Sequence, residues 1–140
     1  QLAIGIRNDT LADKSKYYIR NRVGKWTNSV GGKYDNGWMK VDIRQWGNFS
    51  VAVDTIAPNV TPIGHNLWRT RRDIRFRVSD GQTGIASYKV LIDGKFVLFA
   101  LKKGVLIIQD PDRVKKGVPH TAEVIVTDNC GNVTRKQYKF

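Results

Sequence analysis

Ser87-Tyr88-Lys89-Val90-Leu91-Ile92, then Asp93-Gly94, then Lys95-Phe96-Val97-Leu98-Phe99, is the stretch that decides the fold. Two β-branched and aromatic runs flank an Asp-Gly pair, which tolerates the positive φ angles of a two-residue turn whose twist suits antiparallel strands. The hairpin pins its own register. Upstream, Ile74, Phe76 and Val78 alternate with Arg75, Arg77 and Ser79, which describes a strand with one apolar and one wet face. Downstream, Ala122, Val124 and Val126 alternate with Thr121, Glu123 and Thr127, with Ile125 breaking the polar face. Val105 to Gln109 reads as a short apolar strand, and Val133 to Phe140 as a last one whose Arg135, Lys136 and Lys139 suit a solvated or edge position. From Asn59 onward roughly seven short strands fit the count and spacing of an immunoglobulin-like β-sandwich. Its expected core is Ile74, Phe76, Val78, Tyr88, Val90, Ile92, Val97, Ile107, Val124 and Val126.

The first 54 residues read the same way, as strands Leu2 to Arg7, Tyr17 to Val23, Lys25 to Asn28, Trp38 to Arg44 and Phe49 to Val53. Gly24, Gly31-Gly32, Asn36-Gly37 and Gly47-Asn48 separate them. Asp54-Thr55-Ile56-Ala57-Pro58 then marks a boundary, because proline cannot donate to a ladder and keeps its predecessor extended. The expectation is an all-β chain, with a smaller β unit over 1–54, a stiff extended joint, and the sandwich over 55–140. Room for helix exists only around Thr10 to Lys16 and Asp110 to Gly117.

Composition narrows function by exclusion. The 140 residues carry 24 Lys and Arg against 12 Asp and Glu, a formal charge of +12. Residues 1–54 hold nine of the basic and five of the acidic groups, so both units are cationic. A chain of this length buries roughly 70% of its unfolded surface and needs no metal or disulfide staple. One cysteine, Cys130, and two histidines, His65 and His120, leave no material for a zinc cluster or a Cys/His nucleophile. No apolar run approaches the ~20 residues of a membrane span. The chain starts at Gln1 and runs directly into strand-like sequence, so it is expected to be a piece of something longer.

Four landmarks carry a resemblance: Asp54-Thr55-Ile56-Ala57-Pro58, Asp80-Gly81-Gln82-Thr83-Gly84-Ile85, Ile92-Asp93-Gly94-Lys95 and Thr127-Asp128-Asn129-Cys130-Gly131-Asn132. They resemble the D-T-x-A-P, D-x-x-S-G-I, D-G and D-N-x-G-N signatures of bacterial extracellular immunoglobulin-like domains. With Gly47-Asn48-Phe49-Ser50-Val51-Ala52-Val53, the arrangement is similar to the C-terminal, non-catalytic region of lysostaphin-type zinc endopeptidases secreted by Gram-negative bacteria. The resemblance implies a secreted, periplasmic or envelope location and a peptidase domain elsewhere in the parent chain. The zinc-holding H-x-x-x-D and H-x-H pairs of that family are absent here, since Asn66-Leu67-Trp68-Arg69 follows His65 and Thr121-Ala122 follows His120.

Three sets of residues are candidate sites. Arg69, Arg71, Arg72, Arg75 and Arg77 are the densest basic cluster, suited to an anionic envelope polymer, or else the wet face of a strand and its loop. Trp26, Trp38, Trp46 and Trp68 offer an aromatic platform for sugar rings, or else packing. Asp80, Asp128, Asn129 and Asn132 fall in turns and supply the oxygen ligands calcium takes, while each is equally a turn former bonding its own backbone. No cofactor is expected. The resulting expectation is a non-enzymatic accessory module that contacts a parent peptidase domain or an anionic envelope polymer. A carbohydrate-binding or adhesin-type surface domain is the alternative. Nucleic acid is disfavoured, since no RNA-binding aromatic signature and no groove-reading helix is present.

Overall fold

The computed structural model describes residues 1–140 and is all-β, its fourteen strands forming four antiparallel sheets. In the first unit, β1 (Leu2–Gly5), β5 (Trp38–Val41) and β4 (Lys33–Asp35) form one three-stranded sheet in that order. The other is β3 (Trp26–Gly31), β2 (Tyr17–Val23) and β6 (Asn48–Val53). Tyr17, Ile19 and Met39 are buried between them, with Leu2, Ile4, Val30 and Phe49 half-buried around the centre. Strand β4 is one more than the sequence suggests. It has a single apolar residue, Tyr34, and exists because Asn36-Gly37, both at positive φ, fold it back onto β5.

The second unit is two four-stranded sheets around one core. One contains β7 (Asn59–Ile63), β8 (Arg75–Ser79), β12 (Val105–Ile108) and β11 (Phe99–Lys102), in that order. The other runs β14 (Val133–Lys139), β13 (Thr121–Asp128), β9 (Ile85–Ile92) and β10 (Lys95–Phe96). Lettered along the chain as A, B, C, C′, D, E, F and G, the sheets read A-B-E-D and C′-C-F-G. Sixteen buried hydrophobic residues from both sheets and their connections form the core. The Asp93-Gly94 turn has φ of 52° and 79°, as its sequence requires.

Several expectations are corrected here. The run Lys95 to Phe99 is not one strand: β10 stops at Phe96, and the chain crosses to the opposite sheet before β11 begins at Phe99. In β12, Leu106 and Ile108 are buried and Ile107 faces outward opposite Arg75, because Leu106 pairs with the buried Phe76. Tyr88 shares the face of Val90 and Ile92 and lies opposite the buried Val126, but remains 38% exposed. An unexpected helical turn, α1 (Trp68–Arg71), follows a 3-10 turn at His65–Leu67, where the sequence reads as loop. No helix is long and apolar enough to cross a membrane.

Candidate functional site

At the junction of the two units, three carboxylates meet. Side-chain oxygens of Asp54, Asp80 and Asp128 lie within 4.8 Å of one another, and Asp54 and Asp128 are buried. The turns that bring them there are built by the carboxylates themselves. Asp80 Oδ2 accepts from the N–H groups of Thr83 and Gly84, and Asp128 Oδ1 accepts from those of Cys130 and Asn132. Asp54 accepts from Ile56 N at 3.1 Å and from the Thr83 hydroxyl at 2.5 Å. Its backbone N donates to the Lys16 carbonyl and its carbonyl accepts from Asn132 Nδ2. Lys16 Nζ reaches the Cys130 carbonyl at 2.9 Å, placing one cation of the first unit against the last turn of the second.

The calcium set read from sequence gains a carboxylate. Asp54, read only as part of a linker, lies with Asp80 and Asp128, and Asn129 beside them donates its amide N–H to the Thr83 carbonyl. These three are the residues that could hold a cation. Asp80 and Asp128 bind groups of their own turns, while Asp54 accepts from Thr83 and Asn132 of the second unit, which makes the cluster a polar lock between the units. Burial pushes the Asp54 carboxyl up, against the bonds from Thr83 and Ile56, and Asp128 and Asp80 add to the rise. Burial first and then Asp54 push the Cys130 thiol up to about 11, which favours its protonated form. Replacing Thr83 with Val removes the hydroxyl that Asp54 accepts from while keeping the side-chain shape. A loss of about 1.5 kcal/mol is expected in chemical denaturation, and an unchanged midpoint would show that the lock contributes nothing.

The aromatic set divides. Trp68 is fully buried in the core of the second unit, edge-on to Phe76 and Phe140, with its indole N–H on the Ile63 carbonyl. It is therefore removed from any sugar platform. Trp26 and Trp46 are 83% and 95% exposed, and Trp38 lies half-exposed over Gly5. The exposed tryptophans all belong to the first unit.

The arginine cluster divides too. Arg75 and Arg77 project from the outer face of β8, and Arg75 pairs with Asp73 at 2.9 Å. Arg72 turns inward, donating to the Val114 carbonyl and pairing with Asp112, so it serves the fold. Arg71 is exposed, and Arg69 lines a hollow of about 490 Å³ with Asp93, Pro119, His120, Thr121, Lys139 and Phe140. The five do not form one basic face.

The floor of that hollow was not legible as a site. His120 is buried, its Nδ1 2.6 Å from Asp93 Oδ2 and its Nε2 2.6 Å from the Lys115 carbonyl. A carbonyl and a carboxylate only accept, so both ring nitrogens carry protons and the ring is an imidazolium. Burial opposes that charge, and Arg69 also opposes it. The bonds to Asp93 and Lys115 outweigh both and raise the pKa above 6.5. Asp93, hydrogen-bonded by His120, is held below the usual carboxylate range. The stabilisation from His120 is thus complete below its ordinary pKa and is lost as pH rises through the higher folded value. Between about pH 5.5 and pH 8.5 the wild type should lose about 4 °C of Tm that a His120→Gln variant does not. Parallel pH profiles for the two proteins would contradict this assignment.

Residues 1–54 match the Zu5-like domain family model. No curated protein and no solved structure matches the chain. The Zu5-like stretch comprises β1 to β6 with the three exposed tryptophans, and its last residue is the locked Asp54. The His120 hollow lies outside the Zu5-like stretch, in residues 55–140.

Proposed function

We propose that the chain is a non-catalytic contact module, secreted or held at the cell envelope, that positions a partner domain against an anionic polymer. The observation that carries this reading is the state of its charge: of 24 Lys and Arg side chains, only seven lie within ion-pair distance of a carboxylate. Such an unpaired surplus projects a positive field that attracts polyanions. The buried lock at Asp54 supports a spacer role, since units tied by hydrogen bonds transmit position as well as contact. The A-B-E-D and C′-C-F-G strand order supports an immunoglobulin-type second unit. The D-T-x-A-P and D-N-x-G-N landmarks, which here build the lock, support an accessory role beside a lysostaphin-type zinc endopeptidase of the cell wall.

The test is retention of the purified chain on heparin resin and on isolated cell-wall sacculi across a salt gradient. Retention at low salt that collapses as the Debye length falls from about 10 Å at 0.1 M to about 3 Å at 1 M is expected. Passage through both matrices at low salt would end the proposal. The exposure of Trp26 and Trp46 favours a second reading, a carbohydrate-binding or adhesin-type domain. That reading requires quenching of tryptophan fluorescence by uncharged oligosaccharides at high salt.

A further inference from the structure

His120 stands between two hollows. The first, described above, is flanked by Arg69 and Lys139. The second, of about 320 Å³, is lined by Lys95, Phe96, Arg113, Lys115 and Val118, and the two share Asp93, Pro119 and His120. Both volumes fall in the about 300–1,000 Å³ span of small-molecule sites. Arg69, Lys139, Lys95 and Lys115 have no carboxylate within ion-pair distance, and Arg113 shares Asp110 at 3.5 Å. The one carboxylate between the hollows, Asp93, is already engaged by the His120 ring and by Thr121 N. The His120 imidazolium and Asp93 neutralise each other, so the surplus positive charge of the two hollows is that of Arg69, Lys139, Lys95 and Lys115. Phe96, 57% exposed, offers an apolar ring at the rim of the second hollow.

We infer that this pole binds an anionic oligosaccharide, with one acidic substituent between Arg69 and Lys139, another among Lys95, Lys115 and Arg113, and a sugar ring against Phe96. The site deepens the function proposed above and rests on it. Two separate cationic hollows and a single exposed ring favour a glycan over single-stranded nucleic acid, which is held by a continuous basic groove with successive stacking platforms.

The experiment is calorimetric titration of the full chain with a heparin-derived octasaccharide, and separately with a single-stranded oligonucleotide of equal charge. The variants are Arg69→Gln/Lys139→Gln and Lys95→Gln/Lys115→Gln. Arg20→Gln/Lys25→Gln removes the same charge from the first unit. All six positions are exposed, so the fold is retained, and each variant's melting curve checks that. Each pole pair should weaken octasaccharide binding about tenfold or more, and the first-unit pair less than about threefold. Equal losses from all three pairs would overturn the site and leave a diffuse field. Tighter binding of the oligonucleotide, with the same sensitivity to the pole variants, would overturn the glycan assignment. Failure of the wild type to bind the octasaccharide while sacculi still retain it would overturn the site alone; failure on both would remove the proposed function as well.

Discussion

Trp68→Ala is expected to destabilise the second unit by about 3–5 kcal/mol, the range for deleting a large buried aromatic. Three causes add. The side chain is completely buried, and its removal leaves a cavity beneath α1. Its ring contacts Phe76, Tyr138, Phe140 and His65, drawn from β8, β14, the chain end and the preceding turn, so the cavity has walls on several elements and cannot collapse from one side. Its indole N–H satisfies the Ile63 carbonyl at 2.8 Å, which would lose that partner. Trp68→Phe keeps most of the volume and loses the hydrogen bond, so it should cost about 1–2 kcal/mol. Trp46→Ala, at a ring 95% exposed, should stay within about 0.5 kcal/mol. Urea denaturation of the three variants checks the order. A Trp68→Ala midpoint within error of Trp46→Ala would mean that the ring is not part of the core.

Gly47→Ala should cost about 3 kcal/mol or more, from overpacking and backbone strain together. A Cβ at this position would fall 1.7 Å from Asn21 Oδ1 and 2.6 Å from its Cγ, and the backbone there has a φ of 153°. Asn21 cannot easily withdraw. It lies on the central strand β2, is 1% exposed, and its amide is tied to the Trp46 carbonyl. The unit that must absorb the clash has a core cluster of only three buried hydrophobic residues. Loss of the Tm of the first unit, or failure to accumulate folded protein, is the expected result. The steric cause is separable: Asn21→Ala removes the obstructing amide, and its Oδ1 has no hydrogen-bond partner to lose. Gly47→Ala combined with Asn21→Ala should therefore recover much of the stability lost by Gly47→Ala alone. Strict additivity of the two changes would refute the clash.

What could be read from the sequence was local. The alternation of Ile74, Phe76 and Val78 gave the buried face of β8, and Asp93-Gly94 gave a turn whose backbone angles leave little choice. In Val105-Leu106-Ile107-Ile108 every residue is apolar, so no alternation says which face is inner, and the partner Phe76 decides it. Trp68 was hidden because a four-residue helix is too short to display a 3.6-residue period. The two polar constellations were hidden for another reason. Asp54, Thr83 and Asp128, like Asp93 and His120, are separated by tens of residues and meet only once the sheets have formed. Each had a sufficient local explanation as a turn or boundary residue, and that explanation concealed the contact.

The strand that opens the second unit is also tied to the one that closes it. Thr134 Oγ1 donates to the Pro58 carbonyl and Lys136 Nζ to the Val60 carbonyl, a two-residue step in the same direction on both segments. The neighbouring segments therefore run parallel. Tension applied between the two ends of this unit would slide them past each other lengthwise and load both tethers together. A hairpin peeled from its open end gives way rung by rung, whereas here the two tethers share the load.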